Sequence, residues 1–467
     1  MQQKTFGKYG PTEGHFYSQK VNNLDTTVTA QLDLSYKCPF NVHDFRAKVK
    51  LAAHQVYWEQ SMLRCCFTDN GDFTQFTEFK DPNLIVPVYV HESTSLKIVQ
   101  EQLLNKDIDM KGPLWFVTIV YNPSQSLVSM LVTCLAALLD VDSLYTVIDL
   151  ILSKLDSAIP VTSEFANYGL FNFKFRPEMD SQLRKSWLGG YFDAWRLYNN
   201  QLQCRLNKST VTSKSSKQSD SGTWEQYSTK IVQAEPIEYA KVLKLVETAR
   251  HEGTTLTGLL NAASLASLAK TFGNLDTSIG VYTMINTRNY LQYTGLGSYS
   301  IYSFGAFFKP SKCKFWDLVY ASKFIIKPRN VLSVIRGNAF RGKINQSSKL
   351  ESIVNIPAKV VTSNIGDISS KVSREYFLKS SVLQVQSSTF FYGDLSFFLS
   401  ATTCNGKLNL CLTYRPINIT EQDASKYLKN VRDLLTELPP IPEGRTIPFL
   451  TILLPIIFVF GVSFLKE

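Results

Sequence analysis

The sequence predicts an α/β protein with two similar lobes, each a mixed sheet flanked by helices, followed by a C-terminal membrane helix. The chain has 467 residues, more than a single hydrophobic core usually organises. Both halves mix strand-like and helix-like hydrophobic patterns. Between the halves, residues 206–223 are rich in Ser, Thr and Lys, which is typical of a linker or loop. We therefore assign residues 1–205 to the N-terminal lobe and residues 224–440 to the C-terminal lobe.

Composition excludes several classes of protein. The chain is 44% hydrophobic and 19% charged, so it can bury a core and is not disordered. Its net charge of +10 comes from dispersed Lys and Arg, which argues against a nucleic-acid partner. An ordinary solvated surface, an anionic lipid and a phosphorylated co-substrate are all compatible with this charge. None of the 8 cysteines has a C-x-x-C or Cys/His metal spacing. We expect reduced, buried cysteines, no metal site and no resident cofactor.

The membrane helix is predicted at residues 446–465, a stretch without a charged residue. A helix of about 20 residues spans about 30 Å, the thickness of the hydrocarbon core of a bilayer. Pro439, Pro440 and Pro442 mark a linker before it, and the amino terminus lacks the apolar region of a signal peptide. We expect a tail-anchored monomer at the cytosolic face of the endoplasmic reticulum or another internal membrane. The alternative for this stretch is a buried terminal strand or helix.

In the N-terminal half, alternating polarity predicts strands, and helical spacing predicts one helix over residues 43–56. The run SLVSMLVTCLAALL reads as a buried strand that leads into a loop at residues 139–142, and SLYTVIDLILSKL then reads as a helix. The other strands predicted here are TTVTAQLDLSY, LRCCF, LIVPVYV and LWFVTIVY.

In the C-terminal half, PIEYAKVLKLVETARHEG reads as an amphipathic helix that stops at Gly253. A second helix, TTLTGLLNAASLASLAKTF, has Thr residues available to cap its start. A surface helix is predicted near the end, at TEQDASKYLKNVRDLLTEL. The strands predicted between them are TSIGVYTMINTR, YSIYSFGAFF, AKVVTSNIG, STFFYGDLSFFLSATTC and KLNLCLTY.

Several segments together resemble one family. They are LLDVDS before a helix, HEGTTLTGLLNAA, INTRNYL, VVTSNIGDI and the closing strands. In this order they resemble the chloramphenicol-acetyltransferase-like, condensation-domain-like superfamily of acyltransferases, and within it the fungal alcohol acetyltransferases. The resemblance implies two domains that meet at a tunnel, with acyl-CoA entering one end and the acceptor the other. It places the family's motif Asp on Asp140 and its motif Ser on Ser143, with Arg288 as the partner of Asp140.

The chain departs from this family at the position of the catalytic base. The family motif H-H-x-x-x-D-G-x-S carries a His that takes the proton of the acceptor. Here Ala136 stands at that position, Leu135 precedes it and Val141 replaces the Gly. Moving the motif to Asp142 would put Leu138 at the His position. The histidines of the chain, none of which matches the motif, are His15, His43, His54, His91 and His251.

Loss of the base favours an amine over an alcohol as acceptor. General-base catalysis contributes about 10² to 10⁴-fold, and an alcohol needs that help to attack a thioester. An amine has a reactive free-base fraction, which an apolar tunnel increases. The sequence therefore predicts acetyl-CoA-dependent N-acetylation of an amphipathic amine, similar to the fungal branch that inactivates sphingosine-like inhibitors. Two alternatives stay open: an inactive, membrane-tethered binding or scaffold protein, and an alcohol O-acetyltransferase with a substitute base.

The candidate site residues each have a second interpretation. Asp140 is a candidate catalytic group or a structural carboxylate paired with Arg288. Asp142 is a candidate substitute base or an exposed loop carboxylate. Ser363, Asn364 and Gly366 are candidate acyl-CoA or substrate-binding residues or, alternatively, a turn stabilised by Asx-type bonds. His251 follows a predicted helix, where a surface or capping role is the alternative to catalysis.

Overall fold

The computed structural model describes sixteen segments of the chain. The predicted linker at 206–223 and the predicted membrane helix at 446–465 lie outside them. None of the helices that the structure describes is long and apolar enough to cross a membrane. The described segments are residues 5–8, 27–35, 40–67, 75–78, 86–106, 108–109, 112–155, 228–273, 279–291, 295–307, 313–326, 331–332, 358–372, 379–387, 397–416 and 419–442.

The described segments contain fourteen strands and nine α-helices. The strands are β1 Thr5–Lys8, β2 Thr27–Ser35, β3 Cys65–Phe67, β4 Gln75–Glu78, β5 Val88–Glu92, β6 Trp115–Asn122, β7 Leu127–Leu135, β8 Lys230–Gln233, β9 Ile279–Asn286, β10 Ser300–Phe307, β11 Ala358–Asp367, β12 Lys379–Ser387, β13 Phe397–Cys404 and β14 Lys407–Tyr414. The helices are α1 Val42–Glu59, α2 Leu96–Leu104, α3 Val141–Ser153, α4 Tyr239–His251, α5 Leu256–Phe272, α6 Arg288–Leu291, α7 Phe315–Ile325, α8 Ser369–Val372 and α9 Glu421–Thr436.

The first large sheet has five strands in the order β12-β2-β7-β6-β5, and β1, β4 and β3 form a smaller sheet. In the five-stranded sheet, β5 runs parallel to β6, and the other neighbours are antiparallel. Alternation along β2 puts apolar side chains on one face, where Ala30, Leu32 and Leu34 are fully buried. They pack in one core with residues of α1 and α3.

The opposite face of β2 is polar although it is largely buried. Thr29 and Thr133 share a hydrogen bond of 3.0 Å, and Ser129 donates to Asp33 at 2.5 Å. Gln31 donates to the same oxygen of Asp33 at 2.7 Å, and Gln100 of α2 donates to Gln31. The bonds through Asp33 and Gln31 therefore form one connected polar network, and Thr29 and Thr133 form a separate pair.

The second large sheet has six strands in the order β10-β9-β11-β13-β14-β8. β11 is parallel to both β9 and β13, and the remaining pairs are antiparallel. One face is apolar and packs with α4, α5, α7 and α9 in a second core. The other face contributes Tyr282, Val361 and Phe398 to the core of the first sheet, so the two sheets are packed against each other.

The strand β12 joins the two halves of the chain. It follows β11 and α8, which belong to the second half, yet it pairs with β2 from Lys379↔Ser35 to Ser387↔Val28 at the edge of the first sheet. Nothing in the hydrophobic pattern predicts this exchange. It means that the first sheet needs residues from the range 224–440 to be complete.

Helix α2 provides a second connection, to the edge strand β8. The Asn105 carboxamide accepts from the backbone N–H of Thr229 at 2.7 Å and donates to the Thr229 carbonyl at 3.0 Å. Glu101 accepts from the N–H of Ile231 at 3.1 Å and pairs with Lys230 at 3.2 Å. These side chains satisfy the backbone of an edge strand that has no further neighbour in the described sheet.

Candidate active site at the junction of the sheets

The site is built around the turn that follows β7. The strand ends at Leu135, and the N–H of Leu138 donates to the Leu135 carbonyl at 2.9 Å. Asp140 then caps α3, since its Oδ1 accepts from the N–H of Ser143 at 3.0 Å. The helix begins at Val141, so Asp142 lies in its first turn and not in the loop that the apolar run predicted. An acidic residue there also interacts favourably with the helix dipole.

Asp140 and Arg288 form a bidentate ion pair. Arg288 Nη1 lies 2.6 Å from Asp140 Oδ2, and Nη2 lies 2.9 Å from Oδ1. The N–H of Tyr299 also donates to Oδ2, at 2.9 Å. Arg288 stands at the start of α6, directly after β9, so this pair joins the first lobe to the second. The arrangement is the geometry that a guanidinium and a carboxylate prefer.

Ser143 and Gly297 complete the contact. The Ser143 hydroxyl donates to the Gly297 carbonyl at 2.9 Å and accepts from the N–H of Gly297 at 3.0 Å. Arg288 Nη2 lies 2.7 Å from Ser143 Oγ and 3.0 Å from the Gly297 carbonyl. The guanidinium also lies over the ring of Tyr299, with its carbon 4.9 Å from the ring centroid. The Ser143 hydroxyl, the backbone of Gly297 and both terminal nitrogens of Arg288 therefore have defined partners.

The ion pair controls the ionisation of Asp140. Burial alone would raise the pKa of this carboxyl, but Arg288 and the N–H groups of Ser143 and Tyr299 hold the pKa below its ordinary value. Burial opposes the charge on Arg288 as well, and Asp140 reverses this effect and raises the pKa of the guanidinium. Asp140 is therefore an anion engaged on both oxygens, which suits a structural role better than proton transfer.

Asp142 forms an outer layer of the same network. Its Oδ1 accepts from Lys371 Nζ, and its Oδ2 lies 3.6 Å from Arg288 Nη1. Lys371 belongs to α8, between β11 and the exchanged strand β12. The Asp142 side chain is 19% exposed, whereas that of Asp140 is 4% exposed. Solvent therefore reaches Asp142 but is largely excluded from Asp140.

Ala136 is buried where the resemblance expects the basic His. Ala136 is 5% exposed, and Ala137, Leu138 and Leu139 are fully buried in the first core. Four of the five histidines lie within the described residues. His43 and His54 belong to α1, His91 to β5 and His251 to α4, so none belongs to the elements that build the network. His251 is exposed and pairs with Glu252 at 2.8 Å.

Ser363, Asn364 and Gly366 lie on β11. Asn364 Oδ1 accepts from the N–H of Gly366 at 3.1 Å, and its Nδ2 donates to Thr257 Oγ1 at 3.0 Å. Gly366 has φ of +88°, a conformation that glycine adopts without a Cβ penalty, and the pairing of β11 with β13 shifts register there. Ser363 is 8% exposed. The geometry includes the Asx-type turn, and Asn364 connects it to the first turn of α5.

Sequence reasoning missed three participants. Lys371 pairs with Asp142, Gly297 bonds to Ser143 through its backbone, and the N–H of Tyr299 donates to Asp140. Backbone donors carry no residue-type signal, so no pattern could have found the last two. The only sequence feature that could have pointed to Lys371 is its position shortly after the VVTSNIGDI segment. In the described part of the chain, no group of His, Cys, Asp and Glu could hold a metal ion.

Comparison with known proteins supports the fold. No protein-family model matches the chain, and no curated protein matches it in sequence. Solved structures do match. The TRI3 trichothecene 15-O-acetyltransferase from Fusarium sporotrichioides has 12% identity and a TM-score of 0.67, over 93% of this chain and 95% of that one. The condensation domain of the monacolin K polyketide synthase MokA has 12% identity and a TM-score of 0.62, over 93% and 98%.

A third solved structure is the epimerization domain of tyrocidine synthetase B, with 14% identity and a TM-score of 0.58, over 93% of this chain and 98% of that one. The names of these three proteins refer to acetyl transfer, condensation and epimerization, so this fold is found with different reactions. At this identity the likeness shows the condensation-domain-like fold alone. The reaction depends on the residues of the site and not on the fold.

Proposed function

We propose that this protein is an acyl-CoA-dependent acyltransferase that moves an acetyl group to the amine of an amphipathic, sphingoid-like acceptor. One observation carries this proposal. At the turn after β7, the ion pair of the family motif is retained, but the basic His of that motif is missing. The pair of Asp140 and Arg288 fixes the two lobes at the position that the resemblance assigns to the reaction. Ala136, an apolar residue, occupies the place of the base four residues earlier.

An amine acceptor fits this combination chemically. The neutral amine nitrogen attacks the thioester carbonyl, the N–C bond forms as the C–S bond breaks, and the proton lost from nitrogen passes to the departing thiolate or to water. No side chain has to abstract a proton before the attack. Holding the two reactants together supplies much of the acceleration, since well-oriented groups reach effective molarities of about 10⁵ M or more.

The alternative with an alcohol acceptor needs a substitute base, and Asp142 is the candidate. Its carboxylate is already engaged by Lys371 and lies near Arg288. This engagement favours the amine over the alcohol.

An inactive binding or scaffold protein is the second candidate function. The observation in its favour is the burial of the turn: Ala137, Leu138 and Leu139 have no exposed surface, and Val141 packs against the same core. In this reading the fold would keep its lobes together through Asp140 and Arg288 without transferring an acyl group.

One assay separates these functions. The purified full-length protein is incubated with acetyl-CoA and matched long-chain amines and alcohols, and free thiol is measured. Amine acetylation predicts thiol release with amines only, at a rate that rises with pH until the amine is fully neutral. Release with alcohols that Asp142→Asn abolishes would favour the substitute base. No release above background with any acceptor would discard both transferase functions.

The proposed location follows from the predicted span at residues 446–465. An amphipathic acceptor partitions into a bilayer, so a tail anchor would hold the site next to its substrate. Alkaline extraction of membranes tests this directly. The full-length chain should stay in the membrane pellet, and a chain ending at residue 442 should be released.

A further inference from the structure

The four charged side chains at the lobe junction form an inner and an outer pair. In the inner pair the side chains of Asp140 and Arg288 are 4% and 10% exposed. In the outer pair those of Asp142 and Lys371 are 19% and 32% exposed. Of the two carboxylates, Asp142 is therefore the more accessible to a small cation from solvent. In the structure the ammonium group of Lys371 already occupies it.

Lys371 presents the functional group that an amine acceptor would present. Its side chain ends in a primary alkylammonium with three N–H donors, and one oxygen of Asp142 accepts from it. A protonated long-chain amine has the same charge, the same donors and a similar alkyl stem. Any primary alkylammonium that reaches this carboxylate can form the same contact.

We propose that Asp142 is the docking point for the ammonium group of the acceptor, and that Lys371 is an internal competitor which the acceptor displaces. The proposal rests on the amine acceptor proposed above and adds the residue that recognises it. The acceptor docks as an ammonium ion and releases its proton to water, and the neutral nitrogen then attacks the thioester. Asp142 follows Ala136 by six residues, after the tight turn closed by Leu135 and Leu138. Docking there brings the amine to the same segment as the empty position of the base.

Displacement of Lys371 would leave the rest of the junction intact. Asp140 keeps both of its oxygens bonded to Arg288 and to the N–H of Tyr299, independently of Lys371. The outer pair is partly exposed, and such pairs contribute little net stability, so the exchange of one ammonium for another costs little. Lys371 carries its charge on a flexible four-carbon stem, which allows it to move away.

The proposal is tested by binding, without an acetyl donor. Calorimetric titration of n-octylamine into the full-length protein is compared with the same titration into Lys371→Met and Asp142→Asn. Removing the competitor should tighten octylamine binding about two- to fivefold, the effect of one partly exposed ion pair. Removing the carboxylate should weaken it at least as much. Binding of 1-octanol, which has no charge, should change in neither variant.

A matched control uses another partly exposed ion pair. Lys154 lies 2.9 Å from Glu59, with side-chain exposures of 20% and 33%, and belongs to the end of α3 rather than its start. Lys154→Met should leave octylamine binding unchanged. Lys371→Arg provides a graded test, because a guanidinium binds a carboxylate more firmly than an ammonium does, so octylamine should bind more weakly than to the natural protein.

Octylamine affinity should thus decrease in the order Met, Lys, Arg at position 371. The proposal would be overturned if Lys371→Met bound octylamine with unchanged or weaker affinity, or not measurably. Lys371 would then have only a structural role, as an ion-pair contact between α8 and α3. The proposed function fails separately. If octylamine binds in the expected order but acetyl-CoA releases no thiol, the docking site stands and the transferase does not.

Discussion

At the scale of single residues, Asp140 is the group on which the junction depends most. It is 5% exposed, and it accepts from Arg288, Ser143 and Tyr299. Asp140→Asn would leave the charge of Arg288 buried without its main partner. Because such an unpaired charge is costly, we expect the free energy of unfolding to fall by about 3–5 kcal/mol, measured by urea denaturation.

A partly exposed ion pair provides the control for Asp140. Glu59→Gln removes the partner of Lys154, and the loss should stay below about 1 kcal/mol. A similarly small loss for Asp140→Asn would mean that the inner pair does not hold the lobes together.

Asp33 gives a prediction for the dependence of stability on pH. Burial raises the pKa of Asp33 from 3.8 to about 6, although hydrogen bonds from Ser129 and Gln31 act in the opposite direction. Between about pH 4 and pH 6 the folded chain therefore holds a proton here that the unfolded chain has lost. Stability from this group is greatest below pH 4 and decreases as the pH rises to 6, by on the order of 3 kcal/mol.

The measurement is a difference between two proteins, because other carboxylates titrate in the same range. The free energy of unfolding is determined from pH 4 to pH 7 for the natural chain and for Asp33→Asn. The natural chain should lose stability relative to the variant as the pH rises. A difference that is constant with pH would show that Asp33 ionises normally in the fold.

At the scale of elements, side chains at the end of α2 bond to the backbone at the start of β8, where a neighbouring strand would otherwise bond. The carboxamide of Asn105 bonds to both backbone groups of Thr229, as a neighbouring strand would. In Asn105→Ala the N–H and carbonyl of Thr229 lose these partners, at a cost of about 1–3 kcal/mol. We expect the amide of Thr229 to exchange its hydrogen faster, measured by hydrogen–deuterium exchange.

Lys97 supplies the comparison within the same helix. It pairs with Glu421 at 2.5 Å, but both side chains are well exposed, at 40% and 64%. Lys97→Ala should leave the exchange at Thr229 unchanged. If both variants accelerate exchange equally, the effect reflects α2 as a whole and not the bonds of Asn105.

At the scale of the whole molecule, the exchanged strand β12 makes the two halves dependent on each other. It is encoded in the second half and pairs along its whole length with β2 of the first. We expect residues 1–223 and 224–442, produced separately, to fail to unfold cooperatively on heating, since each lacks surface that the other covers. Produced together, they should restore one cooperative transition, followed by circular dichroism. Independent transitions of the separate halves would contradict this expectation.

The sequence by itself determined most of the elements and the fold class. The strands at β2, β6, β7, β13 and β14 and the helices α1, α3, α4, α5 and α9 follow from hydrophobic period and capping residues, which act locally. The condensation-domain-like architecture was implied by the family that the ordered segments resemble, and the solved structures support it. The absence of the base is also a property of sequence, since Ala136 is read directly.

Only the tertiary structure decided which distant groups meet. β12 leaves its own half because an edge position beside β2 accepts its backbone, and backbone pairing carries little residue-type signal. Gly297 and Tyr299 enter the junction through backbone groups, which every residue except proline possesses in the same form. The pairing of Lys371 with Asp142 joins positions 229 residues apart. Local patterns record burial and period, whereas such contacts depend on how the sheets close on each other.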